Sequence, residues 1–70
     1  MRNNIRILRK EMGLRQDDVA NIADVSRQTI IAIENERYNP SLELAMKLAK
    51  LFDRPIEEIF WRDEQAPRAQ

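Results

Sequence analysis

Apolar residues recur along the chain at the three- and four-residue spacing of amphipathic helices, and short polar segments separate these stretches. Ile5, Leu8 and Met12 form the first such stripe and predict a helix over about residues 4 to 12. Gly13 follows at the position where a left-handed C-terminal cap is expected. The first helix is therefore predicted to end just before this glycine.

Two further short helices are predicted in close succession. The second covers residues 16 to 23, with small and apolar side chains at helical spacing on one side. The third covers residues 27 to 35 and follows Ser26, a residue type that favours the N-cap. Two short helices joined by a turn of three or four residues form a helix-turn-helix motif.

The rest of the pattern predicts a loop and two more helices. Pro40 disfavours helical geometry in the residue before it, so residues 36 to 40 are predicted to form a loop. A fourth helix with an apolar stripe follows Ser41, and a short fifth helix extends from Pro55 through Ile59. The predicted fold is therefore entirely helical in its main elements.

The composition limits the chemistry available to this chain. Its 70 residues make a single domain, predicted over residues 1–64 with a flexible tail over residues 65–70. The sequence has no Cys and no His, and its single Gly excludes the glycine-rich loops that cradle phosphates. The longest apolar run, Ile30 to Ile33, is too short for a signal peptide or a membrane span. We therefore expect a soluble, cytoplasmic protein that is not an enzyme and has no metal, cofactor, small-molecule ligand or membrane partner.

The charge of the chain is balanced overall but not along its length. Twelve basic and twelve acidic residues cancel, which argues mildly against a nucleic-acid binder. However, residues 1 to 16 hold five basic residues and one acidic residue, and residues 53 to 64 hold five acidic and two basic residues. The two ends can thus present faces of opposite charge, which a net count does not show.

The clearest functional indication is a set of residues at fixed spacing in the second to fourth helices. The set comprises Gln16, Ala20, Val25-Ser26, Ile30, Glu34 and Pro40. With these residues, the segment LRQDDVANIADVSRQTIIAIENERYNPSLELAMKLAKLF resembles the Cro/C1-type helix-turn-helix regulators, also called XRE-like regulators, and the resemblance covers residues 5 to about 60. It implies an all-α, five-helix Cro/C1-type (lambda-repressor-like) DNA-binding domain. Small relatives also end in a short strand that pairs with the first residues, so a terminal β-ribbon is expected.

Three positions depart from the family pattern. Asp24 and Glu36 stand where the family usually has Gly, before the third helix and in the loop after it. Asp tolerates left-handed geometry better than most residues, so its expected cost is modest. The acidic Glu36 is expected to alter a loop that faces phosphate in the family. Ile31 occupies a position that is often small or polar in relatives.

The resemblance assigns base contacts to the third helix, whose N-terminal residues meet base edges when this motif docks. Arg27 and Gln28 fit that role, because Arg can pair bidentately with guanine and Gln with adenine. Ile31 and Ala32 are candidates for a methyl contact with thymine. The alternatives are a solvated helix start for the first two residues and packing on a neighbouring helix for Ile31.

Contacts with the DNA backbone are expected on either side of these residues. The family uses the residue equivalent to Gln16 to bind phosphate, and helix N-terminal amides add to such an anion site. A helix-starting glutamine without this role is the alternative. The other phosphate candidates are Ser26, Thr29, Asn35, Arg37 and Tyr38. An ordinary surface loop is the alternative for the last three.

Two more sets of residues have expected roles outside DNA contact. In the family, residues equivalent to Arg9 and Glu34 form a structural ion pair. Ile7, Phe60 and Trp61 remain after the core stripes are assigned, and exposed aromatics clustered with Ile7 would form a partner surface. We therefore place these three at a dimer interface, with packing in the core as the alternative.

The function implied by these features is that of a sequence-specific DNA-binding transcriptional regulator. We expect a repressor that binds double-stranded DNA as a homodimer, on a near-palindromic operator, and excludes polymerase. The alternative is an antitoxin-type protein-interaction module with secondary DNA binding, which the neutral charge favours. A toxin gene beside this one would distinguish the two.

Overall fold

The computed structural model describes residues 1–62, which form five helices and two short strands. In chain order the elements are β1 (Arg2–Asn3), α1 (Ile5–Glu11), α2 (Gln16–Ala23), α3 (Arg27–Glu34), α4 (Leu42–Phe52), α5 (Ile56–Ile59) and β2 (Phe60–Trp61). The predicted five-helix architecture is confirmed, with helix ends within a residue or two of those expected. The predicted domain end at residue 64 and the tail over residues 65–70 lie outside the described residues.

The local signals that start and stop the helices act as the sequence predicts. The Ser26 side chain accepts a hydrogen bond from the Thr29 amide at the start of α3. Ser41 caps α4 in the same way, through the Leu44 amide. Gly13 has a φ of 72° after α1, in the left-handed region that glycine enters without strain.

The two chain ends described by the structure meet in a small antiparallel sheet. β1 pairs with β2 in the register Arg2–Trp61 and Asn3–Phe60. The Asn4 amide extends this contact by donating to the Ile59 carbonyl at 3.1 Å. The expected terminal ribbon is therefore present, and it holds the start of α1 against the end of α5.

One apolar core joins all five helices. Its buried members are Ile5, Leu8, Val19, Ala20, Ala23, Ile30, Ile33, Leu44, Ala45, Leu48, Phe52, Ile59 and Phe60. They recur at helical spacing on α1 to α4, as the apolar stripes predict, except that Met12 of the first stripe is 50% exposed and lies outside the core. No helix within residues 1–62 is long and apolar enough to cross a membrane.

The structure corrects the expectation for Phe60. This side chain is buried within the core of the protomer, so it does not lie on a surface that a partner could contact. The reason is the strand geometry of β2, in which successive side chains point to opposite faces. Trp61 is half-buried, whereas Ile7 on α1 is 61% exposed.

The connection between α2 and α3 fixes the angle at which these two helices cross. Asp24 takes left-handed geometry, with a φ of 59°, and ends α2 where the family usually has Gly. The Val25 amide donates to the Ala20 carbonyl at 3.0 Å, which closes the turn. The chain then enters α3 at Arg27, so the first turn of α3 lies beside the start of α2.

Candidate nucleic-acid interface

A buried ion pair connects the first and third helices. Arg9 donates through Nε to Glu34 Oε2 at 2.8 Å and through Nη2 to Oε1 at 3.2 Å. The two side chains are 10% and 1% exposed. Arg9 also donates through Nη1 to the Leu14 carbonyl at 3.2 Å, which ties the loop after α1 to the same cluster. The ion pair implied by the family resemblance is therefore present in this structure.

Two more side chains converge on the same carboxylate. Gln16 donates through Nε2 to Glu34 Oε1 at 3.2 Å, and Arg6 Nε lies 3.4 Å from that oxygen. The sequence did not predict either contact. Arg6 and Arg9 are three residues apart on one face of α1, a spacing that could have indicated that both reach one acidic group.

These donors control the protonation of Glu34. Burial by itself would raise the pKa of this carboxyl. The hydrogen bonds from Arg9 and Gln16, the positive charge of Arg9 and the hydrogen bond from Arg6 outweigh burial, so the pKa lies below its ordinary value of 4.5. Glu34 is therefore ionised at neutral pH, and the start of α2 is bonded through Gln16 to the end of α3.

The first turn of α3 presents its side chains to solvent. Arg27 and Gln28 are both exposed at the start of α3, whereas Ile30 and Ile33 further along the helix are buried. Ile31 and Ala32 are half-buried, so each keeps part of its surface accessible. The predicted base-contacting residues thus all keep accessible surface on α3. Ile31, the larger of the two aliphatic residues, is partly covered.

Local bonds already engage two of the predicted phosphate contacts. Ser26 Oγ accepts from the Thr29 amide at 3.2 Å and lies 3.0 Å from Thr29 Oγ1. Both residues therefore have a structural role at the start of α3. Ser26 is exposed and Thr29 half-buried, so a phosphate contact would add to the cap rather than replace it.

An open polar groove separates the starts of α2 and α3. It is lined by Arg9, Arg15, Gln16, Asp17 and Arg27. Across it, Arg27 Nε lies 3.7 Å from Asp17 Oδ1. The sequence did not predict this ion pair, because the two residues are ten positions apart and meet only through the crossing of the helices.

The loop after α3 forms the other side of the candidate interface. Asn35, Arg37 and Tyr38 are exposed along it, so the predicted strip exists as an accessible surface. Glu36 has a φ of 63°, a left-handed geometry that an L-residue adopts at a cost.

The β-ribbon holds the C-terminal end of α3, because Asn3 Nδ2 donates to the Ile33 carbonyl at 2.8 Å.

The arrangement offers hydrogen-bond donors and acceptors along the exposed side chains of α3 and the groove beside it. Among residues 1–62, no group of three or more His, Cys, Asp or Glu side chains is placed to hold a metal ion. The groove between α2 and α3 is open to solvent and lined mainly by charged side chains. Such a surface is suited to contact with a polar partner.

Comparison with known proteins gives a family match and several relatives. The helix-turn-helix family model matches residues 5–59. An uncharacterised HTH-type transcriptional regulator of Methanocaldococcus jannaschii is 52% identical over 60 residues, which cover 86% of this chain and 91% of the relative. The HTH-type transcriptional regulator YgzD of Bacillus subtilis is 40% identical over 65 residues, covering 93% of this chain and 98% of YgzD.

A phage repressor and a solved structure extend these similarities. The cryptic phage CTXphi transcriptional repressor RstR of Vibrio cholerae is 42% identical over 57 residues, which cover 81% of this chain and 51% of RstR. The crystal structure of the restriction-modification controller protein C.AhdI from Aeromonas hydrophila superposes with a TM-score of 0.72 and 32% identity, covering 80% of this chain and 85% of C.AhdI. Most of this chain is thus similar to proteins named as regulators.

Proposed function

The chain belongs to the helix-turn-helix family, and from this premise we propose that it is a sequence-specific DNA-binding transcriptional repressor. It acts as a homodimer on a near-palindromic operator. The observation that carries the proposal is the exposed first turn of α3, where Arg27 and Gln28 extend into solvent beside the start of α2. In this motif, that turn enters the major groove.

The chemistry of α3 suits contact with base edges. Arg27 can donate two hydrogen bonds to O6 and N7 of guanine, and Gln28 can both donate to and accept from adenine. Ala32, one turn further along, is small and lets the helix approach the floor of the groove. Ile31 is half-buried and offers its remaining surface to a thymine methyl group.

Phosphate contacts on both sides of α3 would hold it in register. Gln16 lies at the start of α2, and one of its two amide hydrogens is donated to Glu34, so the second can be donated to a phosphate oxygen. The exposed strip of Asn35, Arg37 and Tyr38 supplies further donors. Phosphate contacts fix orientation and carry no sequence information directly.

The neutral overall charge affects how the protein attracts DNA. Non-specific affinity comes almost entirely from phosphate neutralisation by basic residues. A chain with twelve basic and twelve acidic residues has no excess positive charge to attract DNA of every sequence. Attraction to the phosphates then depends on local charge, such as the five basic residues among residues 1 to 16, rather than on the net charge.

A homodimer would place two copies of α3 on successive turns of the duplex. Ile7 is 61% exposed and Trp61 is half-buried, and we assign both to the contact between protomers. Two half-sites about 34 Å apart, one helical turn, are expected for this motif. A dimer bound over a promoter would exclude polymerase, and similarity to a phage protein named as a repressor supports this sign of regulation.

Protection of DNA from cleavage tests the proposal. The purified protein is added to the DNA upstream of its own gene and, in parallel, to duplexes selected from a random-sequence library. We expect a protected site with two-fold symmetry and half-sites one helical turn apart. Uniform protection without a preferred site, or no enriched sequence after selection, would reject a sequence-specific regulator. Polymerase that still initiates on the occupied promoter would reject repression alone.

A further inference from the structure

Asp17 on α2 lies across the groove from Arg27, and this relationship suggests a role in recognition. We propose that Asp17 is a positioning residue that holds the Arg27 guanidinium in the orientation needed for guanine, and that it thereby raises the preference for the operator over other DNA. The inference rests on the proposed function. It concerns a residue to which neither the family pattern nor the base-contacting set assigns a role.

The atoms involved leave the outer end of the guanidinium available. The Asp17 carboxylate faces Nε of Arg27, with Oδ1 at 3.7 Å. The guanidinium carries five N–H donors in a rigid fork, of which Nε supplies one. The two Nη groups at the outer end are the ones that a guanine edge accepts from in an end-on bidentate pair. A carboxylate at Nε can therefore orient the fork without occupying it.

Stability does not explain the pair. Its side chains are 60% and 58% exposed, and exposed ion pairs contribute little to folding because water and salt screen them. A benefit is expected instead on binding, because a long arginine loses rotamer freedom when it is fixed against a base. A partner that restricts Arg27 beforehand reduces the entropy lost at that step.

The same carboxylate opposes the use of Arg27 on DNA of the wrong sequence. Without a matching guanine, an arginine at this position can turn to a phosphate, which contributes to non-specific affinity. Asp17 follows Gln16, the proposed phosphate contact at the start of α2, so its negative charge lies near the expected path of the backbone. Movement of Arg27 toward a phosphate would separate the ion pair and leave Asp17 close to a like charge.

The neighbouring residue Asp18 provides a matched control. Both acids lie in the first turn of α2 and interact equally in kind with the helix dipole. Asp18 accepts a hydrogen bond from the Arg15 amide at 2.8 Å and lies 3.8 Å from Arg15 Nε, not beside Arg27. Asp17→Asn and Asp18→Asn therefore change the net charge alike, but only the first removes the charge beside Arg27.

The experiment measures binding of the full chain to two duplexes, one selected by the wild-type protein from a random library and one with the same composition scrambled. We expect Asp17→Asn to lower the ratio of the two affinities about fivefold, by weaker binding to the selected duplex and equal or tighter binding to the scrambled one. Asp18→Asn should change both affinities by the same factor. In an Arg27→Ala background, Asp17→Asn should no longer change the ratio.

Each result has a distinct meaning. A ratio that Asp17→Asn leaves unchanged, or changes equally with and without Arg27, would overturn the positioning role while leaving the proposed function intact. A ratio that falls as much for Asp18→Asn would also overturn it, because the effect would then follow net charge. A wild-type chain that shows no preference for any selected duplex would overturn this inference together with the proposed function.

Discussion

Arg9 on α1 and Glu34 at the end of α3 form a two-pronged ion pair, with Nε–Oε2 at 2.8 Å and Nη2–Oε1 at 3.2 Å. A carboxylate at a helix C-terminus faces the negative end of the helix dipole, so it needs a cation close by. Arg9 supplies this cation from the neighbouring helix. The pair therefore fixes the position of α3 against α1, and with it the direction in which the first turn of α3 projects.

Removal of the carboxylate should destabilise the fold. Glu34→Ala leaves the Arg9 guanidinium buried without its partner, and we expect a loss of about 3 kcal/mol in the free energy of unfolding. The measurement is urea denaturation followed by circular dichroism. Glu43→Ala is the matched control, because Glu43 is 82% exposed and pairs with Lys47 only at 3.8 Å. Equal losses for the two variants would contradict the structural role of Glu34.

The same pair predicts a dependence of stability on acid. Because the pKa of Glu34 in the folded chain lies below 4.5, the unfolded chain binds a proton at this site more readily. The contribution of Glu34 is thus complete well above pH 4.5 and is lost as the pH falls through the lower folded value. Glu34→Gln should show a shallower loss of stability over this acidic range. An identical pH profile for both proteins would show that Glu34 titrates normally.

Backbone strain in the loop after α3 predicts a stabilising substitution. Glu36 has a φ of 63°, and this geometry costs an L-residue about 1 to 2 kcal/mol. The greater freedom of glycine in the unfolded chain offsets part of the gain, so Glu36→Gly should stabilise by about 0.5 to 1 kcal/mol. Asp24→Gly should gain less, because a short polar side chain tolerates φ near 59° better. The denaturation midpoints of the two variants measure these changes in stability. A midpoint below that of the wild-type chain for Glu36→Gly would rule out strain at this position.

The association of two protomers is tested separately from DNA binding. We expect sedimentation equilibrium at micromolar concentration to give the dimer mass, and Ile7→Gln to shift the equilibrium toward monomer. Ile22→Gln is the control, because Ile22 is an exposed isoleucine on α2, 55% accessible against 61% for Ile7. A monomer mass for the wild-type chain would exclude the dimer. Equal weakening of the dimer by both substitutions would show that its contact does not depend specifically on Ile7.

Local chemistry explains which parts of the fold were predictable from the sequence. Gly13 ends α1, Ser26 starts α3 and Ser41 starts α4, each through contacts with residues three or four positions away. The apolar stripes place most of the core residues of α1 to α4, because a helix with one buried face has a fixed period, but Met12 of the first stripe is 50% exposed at the end of its helix. Signals of this range are visible in a single sequence.

Contacts between distant residues were not predictable from the residues alone. Arg27 meets Asp17, and Asn3 meets the Ile33 carbonyl 30 positions away, only after the helices have packed. The sequence pattern leaves Phe60 outside the core stripes and therefore predicts it at a partner surface, but the two-residue strand β2 turns it into the core. The Arg9–Glu34 pair was expected only through the family resemblance, since neither residue's spacing indicates the other.

The proposed recognition mode has two parts, base contacts from the first turn of α3 and a contact between Gln16 and the DNA backbone. Its test compares Arg27→Ala and Gln16→Ala on operator and scrambled duplexes at two salt concentrations, at a temperature where both variants are folded. Arg27→Ala should cost about 1 to 3 kcal/mol on the operator and little on the scrambled duplex. Gln16→Ala should weaken both duplexes by similar factors, because phosphates are common to every sequence. Operator binding should fall steeply with salt in each case. Equal losses on both duplexes for Arg27→Ala would contradict base reading and make that side chain a further phosphate contact.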